Sequence, residues 1–140
     1  MPIPTRIAAR CAAALIFAAL CVAARAEDFP ARPIHMIVAF APGGTADFTA
    51  RVIADKMQTL LGQPIAVENK PGANGAIGAD YVGKSEPDGY TLFFSTAGAL
   101  TINPSLRPDL PYDPVKDFAP VAPVVRNTVL FAAGPAAGMD

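Results

Sequence analysis

Ile34-His35-Met36-Ile37-Val38-Ala39-Phe40-Ala41-Pro42-Gly43-Gly44-Thr45-Ala46-Asp47 is the stretch on which the fold turns. Ile34–Phe40 is a near-continuous apolar run of strand length, the pattern of a strand buried on both faces of a parallel sheet. Pro42-Gly43-Gly44 ends it, and a hydroxyl and a carboxylate residue then stand where a helix begins. Beyond the turn, Phe48, Val52, Ile53, Met57, Leu60 and Leu61 recur at helical spacing, with Arg51, Asp55, Lys56, Gln58 and Thr59 on the other side. This predicts a helix that Thr45 or Asp47 caps and that Gly62 and Pro64 stop. A strand, a glycine turn and a helix N-terminus make a seat for an anion. The first backbone N–H groups lack intrahelical partners, and the macrodipole adds positive potential at the same place.

Downstream, Pro64–Asn69 reads as a second strand, reached through a crossover helix and so parallel to the first. Lys70–Gly75 is a second glycine-rich turn, and a helix of small residues is expected from Ala76 to Lys84. Glu86-Pro87-Asp88-Gly89 is a turn, and Tyr90–Ser95 is a third strand running into Ser95-Thr96-Ala97-Gly98. The order strand–helix–strand–helix–strand predicts an α/β fold, a mostly parallel sheet with flanking helices. After residue 98, Asn103-Pro104, Arg107-Pro108, Leu110-Pro111 and Asp113-Pro114 exclude a long helix or a central strand. Val121–Val125 and Val129–Ala133 are expected to be strands. No closing element follows, the pattern of a truncated chain.

Residues 1–26 read as an export signal. Arg6 and Arg10 form a positive head, Cys11 to Ala24 is apolar, and Ala24-Arg25-Ala26 is a cleavage site. The apolar run falls short of the roughly 20 residues of a membrane-spanning helix. Leu20 before Cys21 does not suit a lipoprotein signal. Cleavage after Ala26 predicts a secreted, soluble protein comprising residues 27–140. Both cysteines lie in the leader, so disulfides, thiolate metal sites and a cysteine nucleophile are excluded from the remainder. Three of the 11 basic residues and none of the 12 acidic ones fall in the leader, leaving a formal charge of −4. Without a basic block, nucleic acid is not an expected partner.

Three loops leave the carboxyl ends of the proposed strands: Ala41–Asp47, Lys70–Gly75 and Ser95–Gly98. Open α/β sheets bind ligands at those ends. Their glycines supply accessible backbone, and Thr45, Asn74, Ser95 and Thr96 supply uncharged hydrogen-bonding side chains, an inventory suited to a carboxylate or other small polar anion. Catalytic patterns are missing. His35, the single histidine, lies inside the first strand and reads as structural. There is no G-x-S-x-G elbow, and the Gly-Gly-Thr turn lacks the lysine of a P-loop. Gly72, Gly75 and Gly78 have the wrong spacing for a dinucleotide turn. Asp47 is read as capping or orienting the turn rather than as a general base. No cluster has metal-ligand spacing, and no cofactor is expected.

The chain resembles the Bug-type solute receptors, the periplasmic substrate-binding proteins of tripartite tricarboxylate transporters. The resemblance is carried in order by Phe29–Ile34, Ala41–Asp47, Ala50-Arg51, Leu61–Pro64, Val67–Gly75, Ile77–Ala79, Pro87–Leu92, Ile102–Leu106, Leu110–Pro114 and Lys116–Val121. It implies a two-lobed, hinged α/β receptor of the type II periplasmic binding protein architecture, without catalytic activity. Such a receptor closes on a small organic anion, a di- or tricarboxylate or an amino acid, and hands it to transporter membrane subunits. By matching motif, the first strand–helix loop would hold a ligand carboxylate, partly through ordered water. This makes Ala41, Pro42, Gly43, Gly44, Thr45 and Asp47 candidate ligand-binding residues, with Asn74, Ser95 and Thr96 beside them. The resemblance also implies a longer protein, of which residues 27–140 form most of one lobe and none of the second. A ligand-sensing module that serves a membrane signalling partner is the alternative, and an enzyme acting on a small carboxylate the third reading.

Overall fold

The computed structural model describes residues 28–126. Its elements are β1 (Ile34–Val38), α1 (Thr45–Leu61), β2 (Ile65–Asn69), a 3-10 turn (Ala73–Gly75), α2 (Ala76–Gly83), β3 (Thr91–Phe94), a π-helical turn (Gly98–Ile102) and α3 (Asn103–Leu106). The export-signal residues 1–26 and the strand expected at Val129–Ala133 lie outside the described residues.

The strands form one parallel sheet in the order β2-β1-β3, with Met36 beside Val67 on one side and Leu92 on the other. The α/β class expected from the sequence is what forms. Apolar side chains along almost the whole of β1 fit its central place: Ile34, Ile37 and Val38 are at most 1 % exposed. Full burial of side chains of this size stabilises the fold by roughly 1.5–3 kcal/mol each.

Alternation sends Ile34, Met36 and Val38 to one face, where they pack with Ala50 and Ala54 of α1 and with Ile65. The other face receives α2. A Cβ on Gly78 would stand 3.1 Å from the Phe93 ring and 3.5 Å from Ala39 Cα, so the helix lies close against the strands. Ala76, Ala79, Ala99 and Tyr112 form the core of this second layer, and Phe118 packs on Phe93 and Tyr112 with ring centres 5.7 and 6.0 Å apart. Tyr112 Oη donates to Ala99 O at 2.6 Å, fastening the proline-rich segment to the π-helical turn.

Helix α1 exists where expected, but its buried face differs. Phe48, Val52, Leu60 and Leu61 are exposed, Leu60 by 85 %, whereas Ala46, Ala50, Ile53, Ala54 and Met57 meet the sheet. Small side chains let the helix lie close to the strands, so the packed stripe combines the alanines with Ile53 and Met57, the two expected residues that do face the sheet. Gly62 ends the helix as expected, with φ 68° and its N–H donating to Gln58 O at 3.0 Å. The N-cap is Gly44, without a side-chain cap; Thr45 and Asp47 lie inside the first turn. Val121–Val125, expected to be a strand, joins no ladder among the described residues. His35 is exposed, with Nδ1 2.6 Å from Glu68 Oε1 on the neighbouring strand.

Candidate functional site

Parallel strands place the carboxyl ends of β1, β2 and β3 on one edge of the sheet. The chain leaves β1 toward α1 on one face, while α2 covers the other face, so this edge contains a topological switch point. Cross-links join the three loops there. Asn69 Nδ2 at the end of β2 donates to Phe40 O at 2.9 Å. A Cβ on Gly75 would lie 3.2 Å from Ala39 Cβ and 3.4 Å from Ser95 Oγ, which puts the second loop against the ends of β1 and β3.

The first loop is open to solvent from Ala41 to Thr45. Gly43 has φ 83°, a left-handed conformation that favours glycine; Gly44 has φ −82° and ψ 171°, ordinary extended backbone. The first bond of the helix runs from Phe48 N to Gly44 O at 2.9 Å. The N–H groups of Thr45, Ala46 and Asp47 therefore precede any intrahelical acceptor, at the positive end of a 17-residue helix.

Asp47 faces inward and is 4 % exposed. Its Oδ2 accepts from Gly43 N at 2.9 Å and Arg51 Nε at 3.1 Å; its Oδ1 accepts from Asn69 Nδ2 at 2.9 Å and lies 3.0 Å from an Arg51 terminal nitrogen. Arg51 also donates to Asn69 Oδ1 at 3.2 Å. The carboxylate is thus engaged within the turn, and Arg51 offsets its charge beside the helix N-terminus. Hydrogen bonds from Arg51, Gly43 and Asn69 hold its pKa well below the ordinary aspartate value.

A depressed folded-state pKa means that this carboxylate contributes its full stabilisation above the unfolded value, near 3.8, and loses it as pH falls below. Asp113, held down to about 2 by Lys116 and two backbone N–H groups, acts in the same direction. Asp47→Asn keeps the shape but turns one acceptor into a donor facing other donors. Thermal unfolding followed by circular dichroism should give a midpoint several degrees lower at neutral pH. Its decline on acidification should be shallower, Asp113 supplying what remains. An unchanged acid limb would show that Asp47 does not carry it.

The second loop passes through four successive residues of positive φ, Gly72, Ala73, Asn74 and Gly75. Asn74 Nδ2 donates to Asn103 Oδ1 at 3.1 Å. In the third loop Thr96 Oγ1 accepts from Gly98 N at 3.3 Å, while Ser95 Oγ is buried without a partner among the described residues. Arg51, Asn69 and Asn103 were not singled out from the sequence. Arg51 had a local signal, its i,i+4 spacing from Asp47 on the predicted helix; Asn69 and Asn103 had none, and only the fold shows which loop each reaches. Among the described residues no group of three or more His, Cys, Asp or Glu could hold a metal, and no helix is long and apolar enough to cross a membrane. A depression of about 480 Å³ lined by Pro104, Arg107, Leu110, Tyr112 and Asp113 shares no residue with the three loops, which are largely open to solvent.

Comparison with known proteins gives this edge a context. The model of the tripartite tricarboxylate transporter family receptor matches residues 49–139. Protein BugT of Bordetella pertussis is 45 % identical over 116 residues, which cover 82 % of this chain and 36 % of BugT. A structure described as a periplasmic transporter is 53 % identical, with a TM-score of 0.61 over 63 % of this chain and 30 % of that one. MatC from Rhodopseudomonas palustris with bound malate is 44 % identical, with a TM-score of 0.65 over 69 % and 33 % of the two chains. The chain thus spans about a third of the length of these relatives. On the extent of the family match, this chain belongs to the tripartite tricarboxylate transporter receptor family.

Proposed function

We propose that this chain forms the anion-binding part of a periplasmic receptor that captures a small organic anion for a tripartite tricarboxylate-type transporter. The observation that carries the proposal is the N-terminus of α1, uncapped by any side chain and preceded by an exposed glycine pair at the switch-point edge. The N–H groups of Thr45, Ala46 and Asp47 would receive one ligand carboxylate at the Gly43-Gly44 turn, with Ala41 and Pro42 shaping the approach. Asp47 would act from behind by fixing Gly43. Asn74, Ser95 and Thr96 would form the adjoining wall, with the Ser95 hydroxyl buried behind its surface. Bound malate in MatC supports a dicarboxylate, and the transporter family name supports the partner. An amino acid fits the same carboxylate seat.

The reading assigns residues 1–26 to an export signal cleaved after Ala26 and residues 27–140 to the first lobe of a two-lobed receptor. The open wall of the three loops supports a second lobe closing over it. The role is binding, as in the receptors of this family, with no bond made or broken.

Calorimetric titration of the two-lobed protein with a panel of di- and tricarboxylates and amino acids tests it. At least one is expected to give a saturable heat at one site per chain. Silence across the whole panel would overturn the proposal.

A further inference from the structure

Asn103 begins α3, is 5 % exposed, and belongs to none of the candidate ligand contacts. Its Nδ2 donates to Ala73 O at 3.1 Å and to Asn74 O at 3.2 Å, and its Oδ1 accepts from Asn74 Nδ2 at 3.1 Å. Its own N–H donates to Gly98 O, the wide bond of the π-helical turn. One residue therefore holds the loop after β2 and the turn after β3 together.

The loop that Asn103 grips needs holding. Ala73 and Asn74 have φ 47° and 53°, left-handed for residues with a Cβ, and such backbone persists where its surroundings over-determine it. On the opposite side, the Asn74 amide lies 2.6–2.8 Å from where a Gly98 Cβ would stand, so the glycine admits it. The π-helical turn is itself a rare backbone form, frequent at functional sites. These features converge on a loop pair of fixed shape beside the N-terminus of α1.

We propose that Asn103 is a positioning residue of the ligand site: its amide locks the Gly72–Gly75 loop onto the Gly98–Ile102 turn, presetting the wall that carries Asn74, Ser95 and Thr96. The inference rests on the site reading above. It adds that one buried amide sets ligand affinity without touching ligand. Preset geometry spares the ordering that binding would otherwise require.

The test uses Asn103→Ala, Asn103→Ser and Asn103→Asp, with malate as probe. Hydrogen–deuterium exchange without ligand should rise at residues 72–76 and 98–102 in Asn103→Ala and stay unchanged across β1. Malate affinity should fall roughly tenfold, as expected for losing the net effect of one to two hydrogen bonds. Asn103→Asp separates positioning from bulk stability. At about pH 8 its carboxylate faces two carbonyl oxygens, whereas near pH 5 the raised pKa of a buried carboxyl restores an O–H donor. Its affinity relative to the parent should therefore recover on acidification, while the ratio for Asn103→Ala stays flat. If Asn103→Ala does not fold, Asn103→Ser and the acid recovery of Asn103→Asp supply the readout.

Unaltered exchange with unaltered affinity would overturn the role of Asn103 alone. A flat ratio for Asn103→Asp would do the same. A parent silent toward malate and the wider panel, with exchange raised in Asn103→Ala, would instead overturn the site reading and leave only a structural lock.

Discussion

Gly44→Val is expected to abolish carboxylate binding while leaving the protein folded. The two halves of that statement have separate causes. At φ −82° and ψ 171° the backbone of Gly44 suits any residue, and a Cβ there would meet only Ala41 O, at an ordinary 3.7 Å. Valine is a poorer N-cap than glycine, a loss of about 1 kcal/mol, which a domain stable by about 5–15 kcal/mol tolerates. The same side chain stands at the mouth of the anion seat, ahead of the Thr45, Ala46 and Asp47 N–H groups. Excluding a carboxylate there forfeits at least two charge-assisted hydrogen bonds, roughly 1.5–3 kcal/mol each, so affinity should fall by more than about a hundredfold. Calorimetry and a thermal melt on the same sample decide it. Unchanged affinity in a folded variant would move the site away from this turn.

The strands and α1 were legible because their signals are local. An almost uninterrupted apolar run names a central strand, and Gly62 after a helical period names a helix end. What failed was the inference from residue type to packing. Phe48, Val52, Leu60 and Leu61 carry the periodic apolar signal yet face outward, while Ala46, Ala50 and Ala54 touch the sheet. Alanine contributes little to an apolar pattern but permits the closest approach of helix and strand. Val121–Val125 has strand composition, but a strand also needs a neighbour, which composition does not supply.

The site divides in the same way. Gly43-Gly44 before a helix is a local pattern with a local meaning, and the structure shows the exposed turn that it implies, while the cap expected from Thr45 or Asp47 does not form. Asp47 was read as a cap or orienting group from its position alone. Its partner Arg51 stands one turn further along the same helix, whereas Asn69 emerges only once β2 lies beside β1. Asn103 is further from view, because Asn-Pro reads as chain punctuation and its amide bonds reach back about 30 residues. Side-chain amides that join loops distant in sequence leave no periodic trace.

The second large effect is on stability, and it lies at Gly75. Here the chain holds φ 87° in a buried position, and a Cβ would come within 3.1 Å of Ala99 Cβ and 3.2 Å of Ala39 Cβ. Neither neighbour is the end of a flexible chain: Ala39 continues the central strand and Ala99 lies in the π-helical turn. Gly75→Val therefore meets two penalties at once, about 1–2 kcal/mol for a left-handed residue with a Cβ and about 1–3 kcal/mol for overpacking. Their sum consumes much of the stability of a domain this size, and most of the variant should be unfolded or aggregated at 37 °C. Gly62→Val provides the control, because Gly62 has φ 68° with nothing within 4 Å of its Cβ position. The same substitution there carries the conformational penalty without the packing one. Urea denaturation of both variants should place the Gly75→Val midpoint well below that of Gly62→Val. Equal midpoints would mean that the loop after β2 does not press on β1 and the π-helical turn. The three-loop edge would then lack the rigidity that a preset anion seat requires.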